Sequence, residues 1–251
     1  MSTSVVMRGL VLRVTDYKDA HRLLTVLLET GEKKTVLARR ARQKSSPLSA
    51  ATQLLTYAEL TLFPYRGTVT LDAASTIEQF LPLRRDVERL ALGCYFAELA
   101  EQLSEGDASD PELLPLVLNA LYAVGQEDAV LAQIKAAFEL RLMAQMGFEP
   151  RLEGCAVCGR EEPEQPRFYV REGVIRCGDC GGEEGSLPLC SGSLAAMRYV
   201  LRCPPRRLYA FRLEEEALRR MEAACEAFLL AQLERPFRTL NYYHQIRGGS
   251  L

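Results

Sequence analysis

Four cysteines constrain this chain more tightly than any other feature. In the stretch "CAVCGREEPEQPRFYVREGVIRCGDC", Cys155 and Cys158 form one C-x2-C pair and Cys177 and Cys180 a second, with the segment from Gly159 to Arg176 between them. This is zinc-ribbon spacing. Each pair can wrap one side of a tetrahedral ion while "RFYVREGVIR" runs as a hairpin that brings the two knuckles together. Gly159 and Gly181 follow the pairs directly, and glycine tolerates the tight backbone a knuckle requires. Four thiolates close the coordination sphere, so the expected Zn2+ is structural, one per chain, with no position left for water or substrate. Two unrelated redox pairs are the alternative at this stage.

The other four cysteines read differently. Cys94 and Cys225 fall on apolar helical stripes and are expected to be small buried hydrophobes, while Cys190 and Cys203 lack partners at ligand spacing and receive no role. The N-terminus, "MSTSVVMRG", shows no basic segment leading into an apolar stretch, so reduced thiols and a cytoplasmic location are expected. The longest apolar runs, such as "LALGCYFAELA", stop well short of what a membrane helix needs, and no membrane association is expected.

Catalytic patterns are missing. The two histidines, His21 in "AHRLL" and His244 in "YHQIR", do not match a deaminase signature, and the chain holds no phosphate loop, nucleophile elbow or dinucleotide fingerprint. The expectation is a binding protein with no small-molecule substrate and no catalytic residues, not an enzyme. A zinc-dependent hydrolase or deaminase is the less favoured alternative.

Charge is distributed unevenly. The 251 residues carry a formal net charge of -2, yet residues 1–80 hold 11 Lys and Arg against 7 Asp and Glu. Within that segment "SVVMRGLVLRV", "RLLTVLLE", "KKTVLAR", "YAELTLFP" and "TVTLDAAST" read as five strands. The turn "ETGEK" places Gly31 where positive φ is needed, and "SSPLSAATQLL" predicts a short helix after the third strand. Five strands with a late helix suit an OB-fold, a small barrel that commonly binds oligonucleotides, and an antiparallel sandwich is the alternative.

From Leu81 the apolar spacing turns helical. "DPELLPLVLNALYAVG" opens with Asp110 as expected N-cap and closes at Gly125, and the next helix places Leu131, Ile134, Phe138 and Leu142 on one face before Gly147. A further stripe runs through Leu218, Met221, Cys225 and Phe228. The fold class is therefore α+β and multidomain. An OB-fold DNA-binding domain spans 1–80, a helical bundle spans 81–148 and 188–240, a zinc-finger-like insertion occupies 149–187, and a tail covers 241–251.

The stretch "KKTVLARRARQKSSP" concentrates Lys33, Lys34, Arg39, Arg40, Arg42 and Lys44 with no acid. Lysines and arginines blunt the edges of sheets, which is one reading. The charges continue beyond the strand into a loop, however, where phosphates can be reached. Arg13, Arg22 and Arg66 add positive charge, and Tyr17, Tyr57 and Tyr65 offer stacking faces. Lys33, Lys34, Arg39, Arg40, Arg42, Lys44 and Arg66 are the expected DNA-binding residues.

Residues 9–63 resemble the N-terminal domain of the bacterial recombination mediator family RecO, through "LVLR" followed by "DY", the strand "RLLTVL", the turn at Gly31 and the basic loop "ARRARQKSSP". The resemblance extends more weakly through the helices and the cysteine segment. It implies an OB-fold followed by a helical bundle with a zinc-finger-like insertion. The implied activities are binding of single- and double-stranded DNA, annealing of complementary strands, and assistance to recombinase loading on DNA coated by single-strand-binding protein. The implied partners are RecR and the acidic tail of the single-strand-binding protein, and the implied location is the bacterial cytoplasm, at the nucleoid. Transfer is firmest for Arg39, Arg40, Arg42 and Lys44. A zinc-ribbon factor of transcription or translation and a scaffold for acidic proteins remain as alternative readings of the residues alone.

Overall fold

The structure is a computed structural model that describes residues 4–65, 67–104 and 110–248, without the side chain of Tyr65. Arg66, one of the expected DNA-binding residues, lies outside the described residues, as does the end of the expected C-terminal tail. The chain divides into two compact units: Met1–Glu127 with Phe237–Leu251, and Asp128–Pro236.

The first unit begins with five strands, β1 (Val5–Tyr17), β2 (His21–Leu28), β3 (Lys33–Ala38), β4 (Tyr57–Tyr65) and β5 (Thr68–Glu78). They close into a barrel in the order β1-β2-β3-β5-β4, with β1 also pairing with β4. The one parallel pairing, β3 with β5 through Val36 and Val69, Leu37 and Thr70, Ala38 and Leu71, completes the OB-type closure. A sandwich is excluded, because the sheet leaves no open edge. Alternation explains the closure. Leu24, Val26, Leu28, Val36, Ala38, Ala58, Leu60 and Leu71 point inward and are buried together, each large aliphatic side chain contributing about 1.5–3 kcal/mol by leaving water. The β2–β3 turn has Gly31 at φ +82, as the sequence requires.

The segment between β3 and β4 departs from expectation. Residues 39–55 form successive turns in place of a short helix. Most of their backbone bonds run from residue i+3 back to residue i, as from Ser46 to Gln43 and from Ser49 to Ser46. Serine and threonine hydroxyls compete with the helical ladder here: Ser46 accepts from the Leu48 amide, and Thr52 donates to the Leu48 carbonyl. Ala41, Leu48 and Ala51 still reach the barrel core and seal it.

Helices α1 (Val87–Leu103), α2 (Leu113–Val124) and α6 (Arg238–Arg247) complete the first unit. Asp86 caps α1 by accepting from the amides of Glu88 and Arg89, at 2.9 and 3.1 Å. α2 starts at Leu113, and Asp110 instead closes a preceding turn by accepting from the Glu112 amide. Gly125 ends α2 with right-handed φ of -75°. A helix lies where a tail from residue 241 was expected. Its N-terminus receives the Glu98 carboxylate, a favourable place for negative charge. That carboxylate accepts from the Thr239 amide at 3.0 Å, and Phe237 packs edge-on against Tyr95.

The second unit holds α3 (Leu131–Gln145), α4 (Ser191–Arg202) and α5 (Glu215–Leu233) with a four-stranded sheet. The sheet comprises β6 (Arg151–Cys155), β7 (Arg167–Tyr169), β8 (Val174–Arg176) and β9 (Ser186–Pro188), in the order β6-β8-β7-β9. Ile134, Phe138 and Leu142 of α3 are buried as their spacing predicts, but so are Gln133, Lys135 and Glu139. Lys135 bridges Glu139 at 2.8 Å and Glu226 of α5 at 2.5 Å. Burial acts to lower the Lys135 pKa, but the two carboxylates outweigh it and hold the ammonium charged. Among the described residues, no helix is long and apolar enough to cross a membrane.

Candidate metal centre and nucleic-acid interface

The cysteine pairs meet. Cys155 ends β6, Cys177 follows β8, and their knuckles bring the Sγ atoms of Cys155, Cys158, Cys177 and Cys180 within 4.8 Å of one another. Backbone hydrogen bonds form each knuckle. The Gly159 amide donates to the Cys155 carbonyl at 2.9 Å, and the Cys180 amide to the Cys177 carbonyl at 3.0 Å. Gly159 occupies φ +74, in the left-handed region that a side chain would strain. Gly181 is required for a different reason: a Cβ there would collide with the Tyr169 hydroxyl.

The donor set fits a tetrahedral cation. Bonds of about 2.3 Å to four sulfurs put the sulfurs about 3.8 Å apart. Cys158 and Cys177 are separated by 3.8 Å, too far for a disulfide. Burial disfavours the Cys155 thiolate. The amides of Cys158, Cys177 and Val157 outweigh that and hold the thiol down at about 6. Hydrogen bonding with the Cys177 and Cys158 thiols pushes the Cys180 thiol up to about 12. The crowded sulfurs thus cannot all ionise on their own, and a bound cation would remove that conflict.

The basic residues have different surroundings. Lys33 donates from Nζ to the Glu101 carbonyl at 2.7 Å, and Lys34 pairs with Glu32. The first contact fastens β3 to the C-terminal end of α1, where a cation is favoured. Arg42 bridges Asp16 at 3.3 Å. Arg39 and Arg40 instead line an open groove on the barrel with Phe63 of β4, Thr70, Leu71 and Asp72 of β5, and Leu48. Lys44 is exposed on the same loop. Arg22, which the sequence groups with the phosphate-reaching cations, serves the fold: its guanidinium donates to the Thr52 hydroxyl at 3.0 Å and the Ser49 carbonyl at 3.3 Å. Arg13 bridges Glu101 at 2.9 Å.

Sequence reading missed His21. Its Nδ1 accepts from the Arg40 amide at 2.8 Å, and Arg40 sits at φ +56. The imidazole therefore holds the loop at its strained residue. The signal was the adjacency of His21 to the β1–β2 turn, which carries meaning only once β2 and β3 are paired. Cys190 and Cys203, given no role from spacing, are also placed. Cys190 caps α4 in a reciprocal arrangement with Ser193. Cys203 ends that helix, where its carbonyl accepts from Arg141 at 2.6 Å.

Comparison with known proteins now decides the family. Residues 1–80 match the family description "Recombination protein O N terminal", and residues 84–241 match "Recombination protein O C terminal". The chain belongs to the RecO family. It is 32% identical over 245 residues to the DNA repair protein RecO of Symbiobacterium thermophilum, covering 96% of this chain and 97% of that protein. The DNA repair protein RecO of Acetivibrio thermocellus is 28% identical over 235 residues, covering 93% and 94%. That of Alkaliphilus metalliredigens is 33% identical over 174 residues, covering 69% and 71%. The barrel, the helices and the cysteine cluster therefore belong to a RecO-family protein of DNA repair and recombination.

Proposed function

We propose that this RecO-family protein acts by binding and not by catalysis. It binds single- and double-stranded DNA on the barrel groove, anneals complementary strands, and assists recombinase loading on DNA coated by single-strand-binding protein. The observation that carries this reading is the placement of Arg39 and Arg40 along an open groove of the barrel that reaches down to Leu48 and Leu71, with Lys44 exposed on the same loop. Cations there neutralise backbone phosphates without reading base edges. Neutralising two strands at once lowers their mutual repulsion, so complementary bases can pair. Lys33, Lys34 and Arg42 contribute to the surrounding field while holding their own partners.

One structural Zn2+ on Cys155, Cys158, Cys177 and Cys180 completes the second unit. The closed set of four sulfurs supports a structural ion, since no ligand position remains for a reacting water. RecR and the acidic tail of single-strand-binding protein are the proposed partners, and the bacterial cytoplasm at the nucleoid the proposed location. For the tail, the helical region offers Arg84, Arg85, Arg89, Arg141, Arg202, Arg206 and Arg207, which divide in a way that helical spacing cannot reveal. Arg84, Arg89 and Arg141 bind backbone carbonyls, at 2.7 Å to Leu54, 2.5 Å to Val124 and 2.9 Å to Val200. Arg206 and Arg207 are exposed and better suited to an acidic peptide.

Strand annealing tests the function. Complementary oligonucleotides should anneal faster with the protein, and the acceleration should persist when the strands are coated with single-strand-binding protein. Equal rates with and without the protein under both conditions contradict the reading.

A further inference from the structure

The groove also contains an aromatic ring that phosphate binding leaves unused. Phe63 points outward from β4, because the inward positions of that strand are Ala58, Leu60 and Leu62. It is half-buried and lies in the same groove as Arg39 and Arg40. Strand register sets its neighbours: Phe63 pairs with Thr70 of β5, and Thr70 pairs with Leu37 of β3. Paired residues share a face, so Leu37, Thr70 and Phe63 make a half-buried row across three strands. The two arginines follow the end of β3 directly. Asp72 lines the groove as well, and its carboxylate opposes a continuous track of phosphates there.

We infer that Phe63 is the stacking platform for an unpaired nucleobase, the sugar-phosphate chain of the same strand resting on Arg39 and Arg40. The inference rests on the proposed phosphate role of those arginines. A positive edge beside an aromatic face, interrupted by an acid, suits a strand whose bases are turned toward the protein. Paired bases in a duplex have no face to offer the ring. Phe63 therefore gives the groove a preference for single strands that the arginines alone cannot give.

The chain has no tryptophan, so Phe63→Trp places one isolated fluorophore at the site. Oligo(dT) should quench its emission. An abasic oligonucleotide of equal length should bind the same variant, by anisotropy of an end label, and leave the emission nearly unchanged. In parallel, Phe63→Leu keeps an apolar side chain and removes the ring. Its affinity for oligo(dT) should fall roughly 5- to 150-fold, the range for loss of one stacked base, while its affinity for duplex is unchanged. Equal quenching by the abasic strand, or parallel losses for oligo(dT) and duplex in the leucine variant, overturns the stacking role. An Arg39→Ala, Arg40→Ala pair separates the two readings. If that pair binds oligo(dT) like the parent, the phosphate role fails. If it binds weakly while Phe63→Leu binds like the parent, only the stacking role fails.

Discussion

The barrel and the cysteine ribbon reach order by opposite means. The barrel's strands are long, up to 13 residues in β1, and enclose a continuous aliphatic core of their own. The ribbon's strands β7, β8 and β9 have three residues each, and its most deeply buried ring, Phe168, finds its aromatic partner in Phe228 on α5. Apolar area of its own holds the barrel, whereas the ribbon gathers four sulfurs at one point and packs Phe168 on a neighbouring helix. Surface residues can therefore diverge on the barrel without loss of fold, while the ribbon depends on a few positions.

Metal removal should separate the two regions most strongly. Structural zinc contributes about 10–16 kcal/mol of apparent binding free energy in small zinc-finger peptides. Cys158→Ser with Cys177→Ser should abolish bound zinc by elemental analysis and accelerate amide exchange in β6 to β9, with the exchange of β1 to β5 unaltered. Uniform acceleration in both regions would break the contrast.

Within the second unit, Lys135→Met leaves Glu139 and Glu226 facing each other without their cation. Breaking a buried pair in this way costs about 3–5 kcal/mol. Denaturant unfolding should show that loss in the α3–α5 unit with zinc content retained. A change below about 1 kcal/mol, the level of an exposed pair, would mean that water reaches the site and would reject its buried character.

Leu60→Ala probes the other side of the comparison. Leu60 is fully buried in the barrel, and such a truncation costs about 2–5 kcal/mol. The midpoint for barrel unfolding should drop while zinc stoichiometry stays at one. Loss of zinc in this variant would show that the ribbon depends on the barrel core.

Legibility in the sequence follows the same division. The barrel strands could be read because short apolar runs bounded by turn residues are a local signal, as in the run Leu23 to Leu28 that ends at the turn with Gly31. The meeting of the four cysteines could be read because metal coordination demands such spacing. The turns at residues 39–55 could not, since short Ser, Thr and Ala runs suit a helix and a chain of turns alike. The roles of charged residues were the least legible. Lys33, Arg22 and Arg141 look like surface cations in the sequence, and each directs its charge at a backbone carbonyl far along the chain. Lys135 lies on the buried face of α3 because Glu226, 91 residues away, meets it there. Helical periodicity carries no information about that partner.

The smallest expected effect on stability belongs to the groove cations, and their effect on binding is the most direct test of the account. Arg39, Arg40 and Lys44 are exposed. Their joint replacement by alanine should alter stability by no more than about 0.5 kcal/mol per site, since such charges lie outside the core. Affinity for a single strand should be measured across a salt series for the parent and the triple variant. Each lost phosphate contact reduces the slope of log affinity against log salt by roughly 0.7, so three should flatten it by about two. A folded triple variant with the parent's slope would contradict the placement of DNA on this groove.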